Sequence, residues 1–189
     1  MLLGFAYFTR PALLSPLLLL LIIRQAAPLG LVVIGQSICM RVLSLDLSIC
    51  GVIVCVSYIL TSGFLPLSEP WLIALCLLFG LAVGALHAFF ITKLRASSVI
   101  VTLAMAMVLS GIVISLSQYR APSDAPAFLR YIGQTRIGVF PIALLVWLAL
   151  LVPAAIFLRV SVFGRYVDAI GANPKAAWAS GIPYVKVVT

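Results

Sequence analysis

The amino-acid sequence predicts an all-α integral membrane protein, folded as a polytopic bundle of transmembrane helices. Of the 189 residues, 65% are hydrophobic and only 8% are charged, and the mean hydropathy is +1.30. A soluble domain carries about 25% charged residues, so this chain lacks the polar surface that it would need in water. The hydrophobic residues are concentrated in long runs, and the basic residues are scattered between these runs.

Three hydrophobic runs are each long enough to cross a bilayer, because about 20 helical residues span the hydrocarbon core. They are Trp71–Thr92, Val99–Gln118 and Gly138–Leu158. A further run, Leu13–Ile23, is too short by itself. We therefore expect a transmembrane helix at each of the three long runs.

Residues 26–60 contain two shorter hydrophobic pieces, Ala26–Met40 and Leu47–Leu60, joined by the sequence RVLSLDLS. Neither piece comfortably crosses a membrane alone. One interpretation is a discontinuous helix pair, in which irregular backbone lines a cavity rather than lipid. The other is a pair of ordinary transmembrane helices with a short cytoplasmic turn between them. Hydropathy leaves both interpretations open.

The basic residues predict the orientation, since cytoplasmic loops of membrane proteins are enriched in Lys and Arg. If Val99–Gln118 crosses once, one side of the membrane collects six basic residues, whereas the loop 119–137 holds three. We expect the six-residue side, with the C-terminal tail, to be cytoplasmic and the loop 119–137 to face outward. This asymmetry explains the net charge of +8 better than nucleic-acid binding does. The six are Lys93, Arg95, Arg159, Arg165, Lys175 and Lys186; the three are Arg120, Arg130 and Arg136.

Small residues predict where helices pack. Gly80 and Gly84 form a G-x-x-x-G motif, which lets a second helix approach the backbone closely. Gly111, with the nearby Ser110 and Ser115, offers another face of small residues. These motifs indicate a packed bundle and carry no information about function.

Asp46 stands out because a carboxylate near membrane depth is costly and usually lines a pore or pairs with a partner. One interpretation is that it lines a polar path for a hydroxylated solute. Its position just before a hydrophobic piece favours a second role, the capping of the following helix, and the two roles are compatible. The candidate path residues are Gln36, Ser44, Asp46, Ser48 and Thr102, with Ser37 and Ser57 as further polar groups.

Catalysis by this chain is not expected. One His and four acidic residues do not assemble a nucleophile with its base and orienting group, and no G-x-x-x-x-G-K-[ST] loop is present to bind ATP. His87 alone predicts a packing residue or an interfacial residue rather than a proton carrier, because relays need several ionisable groups. No metal or other cofactor is expected either, since four cysteines lie in hydrophobic runs without metal-ligand spacing: Cys39, Cys50, Cys55 and Cys76.

The stretch NPKAAWASGI, residues 173–182, predicts a short capped helix after the last transmembrane run. Asn173 is a good N-cap, Pro174 suits the first helical position, and Gly181 can adopt the left-handed conformation that ends a helix. A helix this short is unstable alone in water. It therefore needs a surface, which is either the groove of a cytosolic partner or the chain's own bundle and the headgroup layer.

Three stretches resemble, in order, landmarks of the permeases of sugar-type ABC transporters, such as those for ribose, xylose and galactose. RQAAPLGLVVIGQSICMRVLSLDLSICG is similar to a segment that runs into an I-D-L-S-V-G signature. HAFFITKLRASSVIVTLAMAM is similar to a turn beginning N-G and continuing K-L, and FGRYVDAIGANPKAAWASGI resembles the family's cytoplasmic loop. The chain departs from these patterns at Cys50, at His87-Ala88 in place of Asn-Gly, and at Ser98 in place of Pro.

The resemblance implies a permease subunit of an ATP-driven monosaccharide importer in a bacterial inner membrane. Residues 1–189 would form a single, partial permease domain, with residues 159–189 as the cytoplasmic coupling loop. The implied partners are a cytosolic ATPase, which binds the ATP, a periplasmic sugar-binding protein, and a second permease chain that is a copy or a sister. The implied coupling residues are Gly164, Arg165, Asn173, Pro174, Ala176, Ala177 and Gly181.

The length of the chain raises an alternative. Members of the family that the chain resembles are considerably longer, and Met1–Phe8 is similar to the tail of a first transmembrane segment. A truncated, non-transporting remnant or an accessory membrane protein is therefore the alternative function. A proton-coupled carrier is disfavoured by the shortage of acidic residues in the hydrophobic runs.

Overall fold

A computed structural model describes residues 16–188, with side chains described from residue 18 onward. Within this range the chain is almost entirely helical, and one short antiparallel hairpin precedes the last transmembrane helix. The segment Met1–Phe8 and the start of the run Leu13–Ile23 lie outside the described residues. The helices are α1 Pro16–Arg41, α2 Ile49–Thr61, α3 Glu69–Thr92, α4 Ser98–Ser117, α5 Ala127–Gln134, α6 Ile142–Val160, α7 Val162–Ala172, α8 Pro174–Ala179 and α9 Tyr184–Val188, and the strands are β1 Arg136–Ile137 and β2 Phe140–Pro141.

Four of the described helices, α1, α3, α4 and α6, are long and apolar enough to cross a membrane. The three predicted transmembrane runs are confirmed as α3, α4 and α6. The largest difference is at the start of α6, which begins at Ile142 rather than Gly138. Gly138 has a φ angle of +61° in the hairpin turn, a conformation that a helix does not use, and Pro141 then precedes the first helical residue.

The first helix, α1, differs from the sequence-based expectation. Residues 16–41 form one helix of 26 residues, so the view that Ala26–Met40 is too short to cross is wrong. Arg24 and Gln25 interrupt the hydrophobic pattern for less than one turn, and both residues are good helix formers. Pro28 lies inside the helix and is tolerated there, because neighbouring groups in membrane proteins can satisfy the backbone atoms that proline frees.

The second helix, α2, retains the expected discontinuity. It has 13 residues and is about 20 Å long at 1.5 Å per residue, which is shorter than the roughly 30 Å hydrocarbon core. Residues 42–48, here called the connection, lack helical structure apart from turns, and Leu43 has a φ angle of +60°. The structure therefore combines one full-length helix, an irregular connection and one short helix.

Helix α2 packs closely against α4, with α3 alongside. A Cβ atom on Gly51 would lie 2.9 Å from both the Cα and the carbonyl oxygen of Ala106, so only glycine fits at this crossing. Beside it, Cys55, Val83 and Leu109 form a buried hydrophobic cluster. Helix α1 packs instead against α6, where a Cβ atom on Gly30 would collide with the Trp147 indole ring.

Within the described residues, the G-x-x-x-G motif does not mark a close approach between helices. No atom of another described helix lies within 4 Å of the position that a Cβ atom would take on Gly80 or Gly84, and the same holds for Gly111. Gly80 and Gly84 border cavities instead of a packed helix. The close helix approach that the motif predicted occurs at Gly51 and Gly30, which lie in other helices.

The two ends of the bundle have different structures. The tail end carries residues 162–188, and Val42 packs there in a core with Val167, Ile170 and Ala177. The hairpin end carries residues 119–141 and is tied to the bundle by polar contacts. The Glu69 carboxylate accepts a hydrogen bond from the Ala127 backbone N–H at 2.9 Å, which caps the start of α5.

Candidate functional site

Two adjoining cavities lie beside the connection. The first has a volume of about 350 Å³ and is bounded by α1, the connection, α2 and α3. The second has a volume of about 370 Å³ and is bounded by the end of α1, the connection, α3, the start of α4 and Val188. Both volumes are within the range of sites for small molecules. The residues common to the two cavities are Cys39, Asp46, Gly80, Gly84 and His87.

All five predicted path residues lie in the walls of these cavities. Gln36 and Ser48 line the first cavity, Ser44 and Thr102 line the second, and Asp46 lines both. The connection brings the five together, because it supplies Ser44, Asp46 and Ser48 and is hydrogen-bonded through Leu47 to Thr102 of α4. Their part in transport stays a prediction. The two further polar groups, Ser37 and Ser57, are not among the lining residues of either cavity.

Asp46 is fixed at the start of α2 by Ser48. Its Oδ1 atom accepts hydrogen bonds from the Ser48 backbone N–H at 2.8 Å and from the Ser48 hydroxyl at 2.7 Å. The N-cap position itself belongs to Ser48, whose side chain makes no capping bond. Asp46 therefore closes a turn two residues before the cap position, and it lines both cavities at the same time. Oδ1 accepts both hydrogen bonds, so the other carboxylate oxygen, Oδ2, is not bonded to Ser48.

Thr102 fastens the connection to α4. Its hydroxyl oxygen accepts a hydrogen bond from the Leu47 backbone N–H at 3.1 Å and donates to the Ser98 carbonyl oxygen at 2.8 Å. The side chain is almost completely buried. Irregular backbone is tolerated in a membrane only where its polar groups find partners, and Thr102 supplies one. Thr102 therefore has a structural role and also lines the second cavity.

His87 is the cavity residue that sequence reasoning missed. It was expected to be a packing residue, but it lines both cavities, and its Nε2 atom is buried without a hydrogen-bond partner among the described residues. The Gln36 Oε1 atom is likewise buried without a hydrogen-bond partner among the described residues. A signal was present in the sequence, because Gly80, Gly84 and His87 are spaced four and three residues apart and so share one face of a helix.

The cavity walls offer hydrogen bonds rather than covalent chemistry. Their polar groups comprise a carboxylate, an imidazole, an amide, hydroxyls and the thiol of Cys39. Within residues 16–188, no three His, Cys, Asp or Glu side chains lie together as metal ligands would. The arrangement is suited to contact with a polar solute that presents hydroxyl groups.

The short capped helix predicted at residues 173–182 is confirmed as α8. The Asn173 side-chain oxygen accepts hydrogen bonds from the backbone N–H groups of Lys175 and Ala176, both at 3.1 Å. Pro174 is the first helical residue. Gly181 has a φ angle of +79° just beyond the helix, the left-handed conformation that commonly follows a helix end.

The structure divides the seven predicted coupling residues into two groups. Ala177 is buried among the chain's own hydrophobic residues, and Gly164 is buried where a Cβ atom would collide with the Leu158 carbonyl group. These two hold α7 and α8 against the bundle. The other five are exposed: Arg165, Asn173, Pro174, Ala176 and Gly181.

The outer side of α8 is open. The Trp178 side chain is 75% exposed, and it lines a shallow, mainly apolar depression of about 550 Å³ together with Pro174, Lys175, Ala179 and Tyr184. Of the two surfaces considered for this helix, the chain's own bundle covers the inner side through Ala177. The outer side, with Trp178, is available for contact with another molecule.

Comparisons with known proteins identify permeases of transport systems. Residues 18–189 match the family described as branched-chain amino acid transport system / permease component. The chain is 30% identical over 166 residues to the L-arabinose transport system permease protein AraH of Escherichia coli. The matched region covers 83% of this chain and 48% of that protein. It is 29% identical over 185 residues to the fructose import permease protein FrcC of Rhizobium meliloti, covering 89% of this chain and 49% of that protein.

A more distant relative comes from an archaeon. The chain is 25% identical over 191 residues to the xylose/arabinose import permease protein XylH of Sulfolobus acidocaldarius, covering 97% of this chain and 53% of that protein. The chain thus spans about half the length of each of these relatives. No solved structure shows significant similarity to it.

Proposed function

Because the chain belongs to the family of branched-chain amino acid transport system / permease components, we propose that it acts as the permease subunit of a bacterial ATP-driven importer of monosaccharides. The names of its relatives support a sugar, since they specify L-arabinose, fructose and xylose/arabinose. The observation that carries the proposal is the convergence of five polar residues on two cavities beside irregular backbone.

The solute path in this proposal runs beside the connection and α2. The connection begins at Val42, which packs with Val167, Ile170 and Ala177 at the tail end. Arg41, the last residue of α1, also forms an ion pair with Asp168 of α7 at 3.3 Å. A force applied to the outer side of α8 would therefore be transmitted through Ala177 to Val42, which lines the second cavity. Alternating access would use this link to open the path on one side of the membrane and close it on the other.

The proposed partners follow from the two ends of the bundle. A cytosolic ATP-binding subunit would dock at the outer side of α8 and hydrolyse the ATP, so the permease chain needs no cofactor of its own and catalyses no reaction. A periplasmic sugar-binding protein would dock at the hairpin end. A second permease chain, either a copy or a sister, would complete the path within the inner membrane. The tail end, with the coupling segment 159–189, would face the cytoplasm.

Uptake of labelled sugar tests the proposal. The chain would be co-expressed with the ATP-binding subunit and binding protein of the same importer, and the cells would be given labelled L-arabinose, D-xylose or D-fructose. We expect one of these sugars to accumulate, and to stop accumulating when the ATP-binding subunit carries an inactivated P-loop lysine. Assembly without accumulation of any sugar would overturn the monosaccharide assignment. Failure to assemble would favour the remnant or accessory role.

Docking is tested separately by charge on the outer side of α8. We expect Ala176→Glu and Trp178→Glu to reduce retention of the ATP-binding subunit in a pull-down by at least about tenfold, because a carboxylate buried in an apolar groove is costly to desolvate. Both residues are exposed, so the fold is preserved. The matched control is Ala172→Glu, an exposed alanine at the end of α7 rather than on α8. Undiminished retention by both variants would contradict docking at α8.

A further inference from the structure

Two side chains that line the first cavity each carry a buried polar atom without a partner among the described residues. The Oε1 atom of Gln36 and the Nε2 atom of His87 are both inaccessible to solvent, and neither has a hydrogen-bond partner among the described residues. Both side chains line the cavity of about 350 Å³, and His87 as a whole is only 7% exposed. Unsatisfied polar atoms are destabilising in a protein interior. Because both atoms are covered in this conformation, each side chain must change rotamer to present a polar atom to a molecule in the cavity, and the hydrogen bonds formed there would remove the penalty.

Glycine residues keep the cavity open. Gly35 of α1 and Gly80 and Gly84 of α3 line it, and a Cβ atom on any of them would meet no described atom within 4 Å. Glycines at this spacing in membrane helices usually mark the close approach of another helix. Here they border empty space instead. Two of the helices around the cavity therefore present bare backbone, which leaves room for a flat or ring-shaped molecule.

We propose that His87 and Gln36 form a hydrogen-bonding pair that holds one neutral, polyhydroxylated solute in the cavity between α1, α2 and α3. This inference rests on the proposed function and names the residues that recognise the solute. A hydroxyl group both donates and accepts, so it can satisfy an amide oxygen and either protonation form of an imidazole nitrogen. Asp46 is the acidic residue in the lining of this cavity, and its negative charge disfavours anionic solutes such as sugar acids or sugar phosphates.

The first test measures transport in the assembled importer. His87→Phe keeps a ring of similar size but removes both nitrogen atoms. We expect it to raise the KM for the transported sugar about tenfold, as loss of one hydrogen bond at a buried site does. His87→Gln, which restores a hydrogen-bonding group, is expected to recover most of this loss. The matched control is Leu86→Phe, because Leu86 is the exposed neighbour and lines neither cavity.

The second test reports on the cavity without transport. His87 is changed to Cys in a chain whose four native cysteines are Ser, and the thiol is treated with a small water-soluble methanethiosulfonate. We expect the thiol to react, because Cys is smaller than His and leaves the thiol open to the cavity, and we expect L-arabinose, D-xylose or D-fructose to slow the reaction. A thiol that does not react at all would overturn the inference. The same sugars should leave the reaction of a Leu86→Cys control unchanged.

The outcomes separate this inference from the proposed function. Uptake by the unmodified chain, with an unchanged KM in His87→Phe and no protection of the thiol, would overturn the inference and leave the proposed function standing. Protection of the thiol by a sugar that is not taken up would support the inference and count against import. Absence of both uptake and protection would overturn both.

Discussion

A single hydroxyl group joins the connection to α4. Thr102 accepts from the Leu47 backbone N–H, and without that acceptor the amide would be left unpaired beside the hydrophobic interior. A buried donor without a partner costs about 1–3 kcal/mol. The residue was predicted as a path residue from its type alone, and its fastening role was not foreseeable, because the bond joins residues 55 positions apart in the sequence.

We expect Thr102→Val to lower the free energy of unfolding by about 1–3 kcal/mol, because the Leu47 N–H loses its acceptor while the side-chain volume is kept. For a chain of this size this corresponds to a fall of the thermal midpoint of roughly 2–4 °C per kcal/mol. Circular dichroism in detergent would measure it. The control is Thr92→Val, since Thr92 likewise donates to the carbonyl four residues earlier but accepts nothing from the connection. Equal midpoints for the two variants would contradict the fastening role.

The remaining cavity residues show what a sequence reveals about a site. Gln36, Ser44, Asp46 and Ser48 were found from polarity within hydrophobic runs, because polar groups are costly there and need a reason. His87 was polar as well, but one histidine without further ionisable groups did not predict a relay. Its significance depends on an unpaired, buried Nε2 atom in a side chain that lines a cavity, and this cavity is formed only when α1, α2, α3 and the connection come together.

At the scale of the helices, long hydrophobic runs predicted α3, α4 and α6 well, since length and hydropathy determine a transmembrane helix almost alone. They predicted α1 poorly, because two adjacent polar residues divided its pattern although they do not interrupt a helix. Small-residue motifs were the least reliable signal. Gly80 and Gly84 permit close approach, but the sequence does not say whether another helix is present to approach them.

We expect Gly51→Ala to destabilise the α2–α4 crossing, because the added Cβ atom would lie 2.9 Å from the Ala106 backbone. Overpacking of this kind typically costs about 1–3 kcal/mol. The matched control is Gly111→Ala in α4, where the Cβ atom meets no described atom within 4 Å. Thermal unfolding in detergent should therefore show a lower midpoint for Gly51→Ala alone. Equal midpoints for the two variants would contradict the close packing of α2 against α4 at Gly51.

At the scale of the whole molecule, charge distinguishes the two ends. Three of the six basic residues assigned to one side by the sequence, Arg165, Lys175 and Lys186, lie at the tail end, and Arg159 lies in the last turn of α6, next to it. The other two, Lys93 and Arg95, lie in the short loop 93–97, where Ile91, Ser98 and Val188 border the same cavity. The hairpin end carries Arg120, Arg130 and Arg136, together with Glu69 and Asp124. This asymmetry is the reason for the proposal that the tail end faces the cytoplasm.

Labelling of single cysteines tests the orientation. In a chain whose native cysteines are replaced by Ser, Arg130→Cys should react with a membrane-impermeant maleimide added to intact spheroplasts. Lys175→Cys should react only after the cells are lysed, so each variant serves as the control for the other. The positive-inside distribution of Lys and Arg is the reason for this expectation. Reaction in the opposite order would place the tail end outside and contradict docking of a cytosolic subunit at α8.

The packing of α1 against α6 has a consequence for biosynthesis. Gly30 and Trp147, which meet at this contact, are separated by more than one hundred residues of chain. At synthesis rates of about 5–20 residues per second, the ribosome needs roughly 6–23 seconds after adding Gly30 before it adds Trp147. During that interval α1, with Arg24 in its sequence, must remain in the translocon or in lipid without its final neighbour. Membrane insertion factors that shelter a newly made helix would therefore affect the yield of this protein chiefly through α1.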